Sequence, residues 1–322
     1  MSERQLLCLK ILNHLPYLNT LPSISELRTS LHFNETELNL LRGSNLYGAT
    51  LDRKKDWEAE WTEARQYMST FHRDWHDAFT WDRYLTASTY ISSRAFPSTL
   101  LSSNPSLLTT DSSYPVLLPG VDSLNHFRAH QVSWVVDPCP STSTPEEEEP
   151  PAESSLPLQV TLVVHPQTPK RQELFNNYGP KPNAEFILGY GFSIANNPDD
   201  TLVLKIGGAH NKSSHQRWEI GRNAKGIQGL WDEMKQILLN MGDDDEEEVN
   251  ETEICLEAAD MLENMIQQKI DSLPDIPNEP PTGVRPEVFT MIGHYLEGQR
   301  DILNSVLDFA QKQQEIFSIE EE

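Results

Sequence analysis

The hydrophobic period of this chain changes near residue 113, and that change does most to limit what the chain can fold into. Upstream, apolar residues recur at helical spacing. Trp57 and Trp61 lie four apart, and Trp81, Tyr84, Leu85, Ser88 and Ile91 keep a helical period. Downstream come short β-rich runs at 115–118, 132–136 and 158–164, the last alternating Leu158, Val160, Leu162 and Val164. One more strand-like run, Thr201 to Ile206, precedes chain that reads as helical over about 216–240, 252–272 and 285–317. Helices and strands are therefore segregated along the sequence, which predicts an α+β architecture.

Local signals sharpen the helical part. Leu6, Leu7, Leu9, Ile11 and Leu12 form a short apolar run that Pro16 and Pro22 should break. Asn34 can cap a helix, Glu37 can close a capping box, Phe33 with Leu38 can staple it, and Gly43 can stop it. Longer helices are expected at roughly 50–72 and from Thr80 to Arg94, the second ended by Pro97. Between the second and third β runs lies PCPSTSTPEEEEPPAESS, which has too little apolar area to fold. It reads as a disordered acidic insertion in a hairpin, at about 138–156.

Charge excludes one class of partner. Lys and Arg number 25 against 49 Asp and Glu, a net −24. Sixteen of the acids fall in runs at 146–153, 243–253 and 320–322, and without them the excess is about −8, ordinary for a soluble domain. Nothing here supplies the clustered Lys and Arg that a nucleic-acid backbone needs. The acidity suits a basic protein partner, but solvated acidic loops are the preferred reading of it. Three dispersed cysteines, Cys8, Cys139 and Cys255, suit a reducing compartment, the cytoplasm first and the nucleus second. No apolar stretch is long enough to span a membrane, and the N-terminal run lacks the small-residue cleavage site of a signal peptide.

Generic site motifs are missing. Gly207-Gly208 has no following Lys and Ser/Thr, and no nucleophile elbow occurs. His72 and His76 lie four apart without a third ligand, so they read as a polar helix face and no metal is expected. Asp199-Asp200 reads as a turn after Asn197-Pro198.

Two segments stand apart: LLPGVDSLNHFRAHQVSW, with Asp122, Asn125 and His126, and NNYGPKPNAEFILGYGF, with Tyr178, Asn183, Glu185, Tyr190 and Phe192. With Ser92-Ser93-Arg94-Ala95-Phe96 upstream and a strand hairpin between them, they make a specific set. The chain resembles the SET-domain protein methyltransferases of the Rubisco large-subunit methyltransferase class. That class includes fungal ribosomal-protein lysine methyltransferases and the animal actin-histidine methyltransferase. The class signatures, D-x-x-N-H followed by Y-G-x-x-x-N-A-E-x-x-x-x-Y-G-F, are both present here. Trp81 to Phe96 resembles the helix that closes the family's inserted helical subdomain.

The resemblance implies three parts: a helical inserted subdomain over 1–112, the C-terminal half of a β-rich SET domain over 113–195, and a helical substrate-binding-like domain over 196–322. It also implies S-adenosyl-L-methionine as cofactor and methylation of a lysine, less so a histidine, on a non-histone protein such as a ribosomal or translational one. Asn125 and His126 would hold the cofactor, with Ser93 and Asp122 lining the same pocket and Phe192 packing on it. Arg94 would lie at the cofactor or target-residue pocket, Tyr190 near the acceptor channel, and Tyr178 would be the active-site tyrosine. Asn183, Ala184 and Glu185 would fix the local turn and helix. For Tyr190 and Phe192, plain core packing is an equal alternative.

In that family a glycine-rich strand-turn precedes the helical subdomain and wraps the cofactor's methionine end. This sequence opens at a segment resembling the subdomain itself (Pro16-Tyr17-Leu18, then Leu21-Pro22) and has no counterpart to that turn. The expectation is weak or no cofactor binding by the chain as given, and binding once such a turn is restored. The rival reading is a truncated or degenerate SET protein that acts as a protein-interaction module.

Overall fold

The computed structural model describes residues 1–71, 73–102, 104–138, 158–206, 217–240 and 250–320. The acidic insertion expected at about 138–156 lies outside them except for Pro138, as do His72, Gly207-Gly208 and the acidic run 243–248. In chain order the elements are α1 (Glu3–Asn13), α2 (Leu15–Leu18), α3 (Glu35–Asn39), α4 (Asn45–Phe71), α5 (Arg73–Ala78) and α6 (Trp81–Arg94). Then follow β1 (Ala95–Pro97), β2 (Pro115–Leu117), β3 (Asn125–His126), β4 (Val132–Pro138), β5 (Leu158–Val164), β6 (Phe175–Asn176) and α7 (Asn183–Gly189). Last come β7 (Thr201–Lys205), β8 (Arg217–Gly221), α8 (Ile227–Leu239), α9 (Glu251–Ser272) and α10 (Pro286–Glu320). The architecture is α+β, and among the described residues no helix is long and apolar enough to cross a membrane. Chain contacts divide it into two compact units, Met1–Glu26 with Asp56–Pro180 and Leu27–Lys55 with Lys181–Glu322.

In the first unit, Ser2 and Gln5 close a capping box at the start of α1. That helix buries Cys8, Ile11 and Leu12 and packs against α6, whose Tyr84, Ala87, Tyr90 and Ile91 are buried. Pro16 does not simply break the apolar run. It sits in the first turn of α2, where its missing N–H leaves no helical partner unmet. Thr80 caps α6, and the helix stops at Arg94, two residues short of the stretch the resemblance suggested. Pro97 forces Phe96 into extended backbone, so Ala95–Pro97 becomes β1 and pairs with β2. The hairpin expected around the acidic tract forms, with β4 antiparallel to β5 from Val132↔Val164 to Pro138↔Leu158. β3 pairs with β6 in parallel, Asn125↔Phe175 and His126↔Asn176.

The second unit has a single core shared by α8, α9, α10 and the β7–β8 hairpin, with Leu230, Leu262, Leu296 and Leu303 fully buried. The Asn34–Glu37 capping box forms at α3, and Gly43, at φ +86°, turns the chain toward α4. One expectation fails here. Residues 217–221 were read as the start of a helix at 216, but they form β8. Trp218 and Ile220 alternate opposite Leu204 and Leu202 of β7, and pairing with that buried strand overrides any helical pattern. A left-handed Gly226, at φ +88°, then starts α8.

Candidate active site

α6 ends in the two residues the resemblance singles out. Ser93 Oγ donates to Thr89 O on its own helix at 2.8 Å. Arg94 reaches out of the helix: its Nη1 donates to the backbone O of Asp122 at 3.1 Å and lies 3.9 Å from the Asp122 carboxylate. Asp122 is 9% exposed. Its Oδ1 accepts the Gly120 N–H at 2.9 Å, and Gly120 adopts φ +97°, which favours glycine. Its Oδ2 accepts the Tyr17 O–H in a short hydrogen bond.

The parallel β3–β6 pair then brings the two motif segments together. The backbone N–H of Tyr178 donates to His126 Nδ1 at 3.0 Å, which puts the imidazole proton on Nε2. The Tyr178 phenol donates to Leu124 O at 2.7 Å, and its ring lies 5.2 Å from the His126 ring. Asn125 Nδ2 donates to Glu173 Oε1 at 2.6 Å. Asn177 shapes the turn: its Nδ2 donates to His130 O at 3.0 Å and its Oδ1 accepts the Gly179 N–H at 2.9 Å. The first unit thus gathers Arg94, Asp122, His126 and Tyr178 around the 120–126 loop, with Ser93 and Asn125 beside them.

Tyr190 and Phe192 belong to the second unit. They sit on the turn that leaves α7, where the N–H groups of Tyr190 and Gly191 both donate to Phe186 O, at 2.9 and 2.8 Å. The Phe192 ring stacks on the buried Phe186 at 4.6 Å, and Tyr190 meets both rings edge-on at 6.1 Å. Gly191 is obligatory: its φ is +81°, and a Cβ there would come within 2.9 Å of the Arg28 backbone. Burial holds the Tyr190 phenol above its ordinary range, against the pull of Lys181. Asn183, Ala184 and Glu185 form the first turn of α7, as expected of residues that fix the local turn and helix.

Tyr17 was not among the candidate residues. It lies 105 residues from Asp122, so nothing local could signal the pairing. Burial, then the Asp122 carboxylate it faces, keeps its phenol protonated well above the usual tyrosine range. Tyr17→Phe should cost the first unit about 1.5 kcal/mol, the loss of one hydrogen bond to a charged group. Urea unfolding reads this, and an unchanged midpoint would show that Asp122 is held without the phenol.

In sequence, the chain is similar to ribosomal lysine N-methyltransferase set10 of Schizosaccharomyces pombe, 34% identical over 190 residues. It is also similar to ribosomal lysine N-methyltransferase 1 of Saccharomyces cerevisiae, 27% identical over 228 residues. Each match takes in 59% of this chain but only 30% and 34% of those proteins, so the chain spans about a third of the length of the curated relatives it matches. No family model matches it. In structure it is similar to the SET domain of LSMT bound to lysine and AdoHcy, with a TM-score of 0.66 at 18% identity over 94% of this chain and 71% of that one. Rubisco LSMT bound to sinefungin and monomethyllysine matches over the same shares, with a TM-score of 0.67 at 20% identity. The fold is that of the LSMT SET domain, and the resemblance drawn from the two motif segments stands.

Proposed function

We propose that this chain is the part of a SET-type protein methyltransferase that binds S-adenosyl-L-methionine and transfers a methyl group to a lysine of another protein, a ribosomal protein first among candidates. One observation carries the reading: Tyr178 and His126 are joined backbone to ring, with the Tyr178 phenol on a backbone carbonyl, so the two signature segments form one structure. The named relatives and the ligands in the similar structures support it.

The donor set of the first unit fits the cofactor. Arg94 supplies a guanidinium suited to an amino-acid carboxylate. Asp122 and the carbonyls of its loop suit an ammonium group, and the Tyr178 and His126 rings suit a cation. Asn125 and His126 offer backbone groups to an adenine edge. When bound, the cofactor's sulfonium supplies the methyl group.

The residues of the chain then have two tasks. The acceptor must be a neutral amine, although free lysine has a pKa of about 10.4. An aromatic neighbour such as Tyr178 disfavours the ammonium by desolvation. The Tyr178 oxygen and carbonyls such as Leu124 O orient the amine, and placement does most of the work in a displacement of this kind. In this reading Ser93 of the first unit lines the cofactor pocket, while in the second unit Tyr190 and Phe192 are ligand-facing rings and the helices after residue 196 present the protein substrate. The acidic surface suits a basic partner and neither nucleic acid nor membrane. Cys8 and Cys255 are buried, and a reducing location, the cytoplasm or the nucleus, belongs to this reading.

The test is a chemical-shift titration of the isotopically labelled chain with S-adenosylhomocysteine up to millimolar concentration, which registers weak binding. The amides of Asn125, His126 and Tyr178 should move together along one binding curve. No shift at the highest concentration would overturn the reading in favour of a non-catalytic interaction module.

A further inference from the structure

We propose that Asp200, anchored by Arg222, is the positioning residue that holds the Tyr190–Phe192 turn, acting through Asn183. The proposal rests on the reading of Tyr190 and Phe192 as ligand-facing rings. Asp200 is 1% exposed and Asn183 is 0% exposed, so every polar atom of this pair must be met from within the protein. Asp200 Oδ1 accepts the Asn183 backbone N–H at 2.7 Å, and Oδ2 accepts one Nδ2 hydrogen at 3.1 Å. With its orientation set, the Asn183 amide clamps Ile194 at two points. Its Oδ1 accepts the Ile194 N–H at 2.7 Å and its Nδ2 donates to Ile194 O at 2.9 Å. The chain between the end of α7 and Ile194 is the turn that carries both rings. Helix α7 holds one end of it, and the Asn183 clamp holds the other.

The carboxylate is itself fixed to α10. Arg222 Nη2 donates to Asp200 Oδ2 at 3.3 Å and to Glu297 Oε2 at 3.0 Å, while Nη1 donates to Asp301 Oδ2 at 2.9 Å. Its Nε donates to Asn197 O at 2.9 Å. Gly298 of α10 faces the same carboxylate, and a Cβ there would overlap Asp200 Oδ2. The position of the turn is therefore referred to the longest helix of the unit.

Asp200→Asn puts an amide N–H₂ against the donors of Asn183, so one donor contact is lost whichever way the new amide lies. Gly298→Ala leaves every polar group in place and displaces the carboxylate sterically, in a residue that suits a helix. The readout is amide hydrogen exchange in both variants, with S-adenosylhomocysteine titration of each beside the wild type. The expected result is exchange at Ile194 about tenfold faster, with Ile302 and Leu303 of α10 unchanged, and homocysteine-ligand affinity about tenfold weaker. Wild-type exchange at Ile194 in both variants overturns the proposal. Equal acceleration at Ile302 and Leu303 also overturns it, since that marks a general structural role. Should Asp200→Asn not fold, Gly298→Ala decides alone. A wild-type chain that ignores the ligand refutes the methyltransferase reading, and the exchange result still decides the role of Asp200.

Discussion

Replacing Tyr178 with phenylalanine is expected to lower methyl transfer to a lysine peptide by about 100-fold, while S-adenosylmethionine affinity stays within about threefold. The factor of 100 corresponds to about 2.7 kcal/mol of transition-state stabilisation. The substitution removes only the hydroxyl. The ring keeps its 5.2 Å contact with His126, and the backbone N–H keeps its bond to Nδ1. What is lost is the oxygen that sits 2.7 Å from Leu124 O, the one that orients the amine in the proposed function. Turnover and ligand titration on the same preparations separate the two effects. Unchanged turnover would remove Tyr178 from its role, and affinity falling in step with turnover would make it a binding residue.

The largest stability effect is expected at Glu37, which is 0% exposed. Its carboxylate accepts Arg285 Nε at 2.8 Å, Arg285 Nη2 at 2.9 Å, the Arg285 backbone N–H at 3.0 Å and the Asn34 backbone N–H at 3.0 Å. Glu37→Ala strands Arg285 and should cost about 3 kcal/mol, the low end for a broken buried pair because the guanidinium is partly exposed. Burial opposes ionisation of Glu37, but the bonds from Arg285 and Asn34 outweigh it and hold the carboxyl below its ordinary 4.5. A depressed folded-state pKa means that this contribution is complete above the unfolded-state value, near 4.5, and fades as pH falls through the lower folded value. Urea midpoints for wild type and Glu37→Gln should therefore converge as pH drops below 4.5. A constant gap down to acid unfolding would show that the pair does not titrate as described.

Legibility followed the range of the interactions. Capping of α3 by Asn34 and Glu37, the end of α6 before Pro97, and the β4–β5 hairpin all depend on neighbours or on a period, and these could be read. Strand β8 could not. Five residues beside a helix carry too little pattern, and only pairing with Leu202 and Leu204 makes them extended. The parallel β3–β6 pair is shorter still, at two residues each, so the step that joins Asn125-His126 to Tyr178 left no periodic trace. Asp199-Asp200 do form the turn expected after Asn197-Pro198, with the Asp200 N–H donating to Asn197 O, but the partners of the Asp200 carboxylate, Asn183 and Arg222, lie 17 and 22 residues away and left no local signal.

By itself the amino-acid order determined the α+β class, the main helices and the two motif segments, because these follow from local propensity and from residue types at fixed spacing. Only tertiary structure decided which side chains meet: Tyr178 with His126, Arg94 and Tyr17 with Asp122, Asn183 with Asp200. The reason is that a hydrogen bond between distant residues depends on chain closure and on burial that excludes water. Neither quantity is a property of any short stretch of sequence.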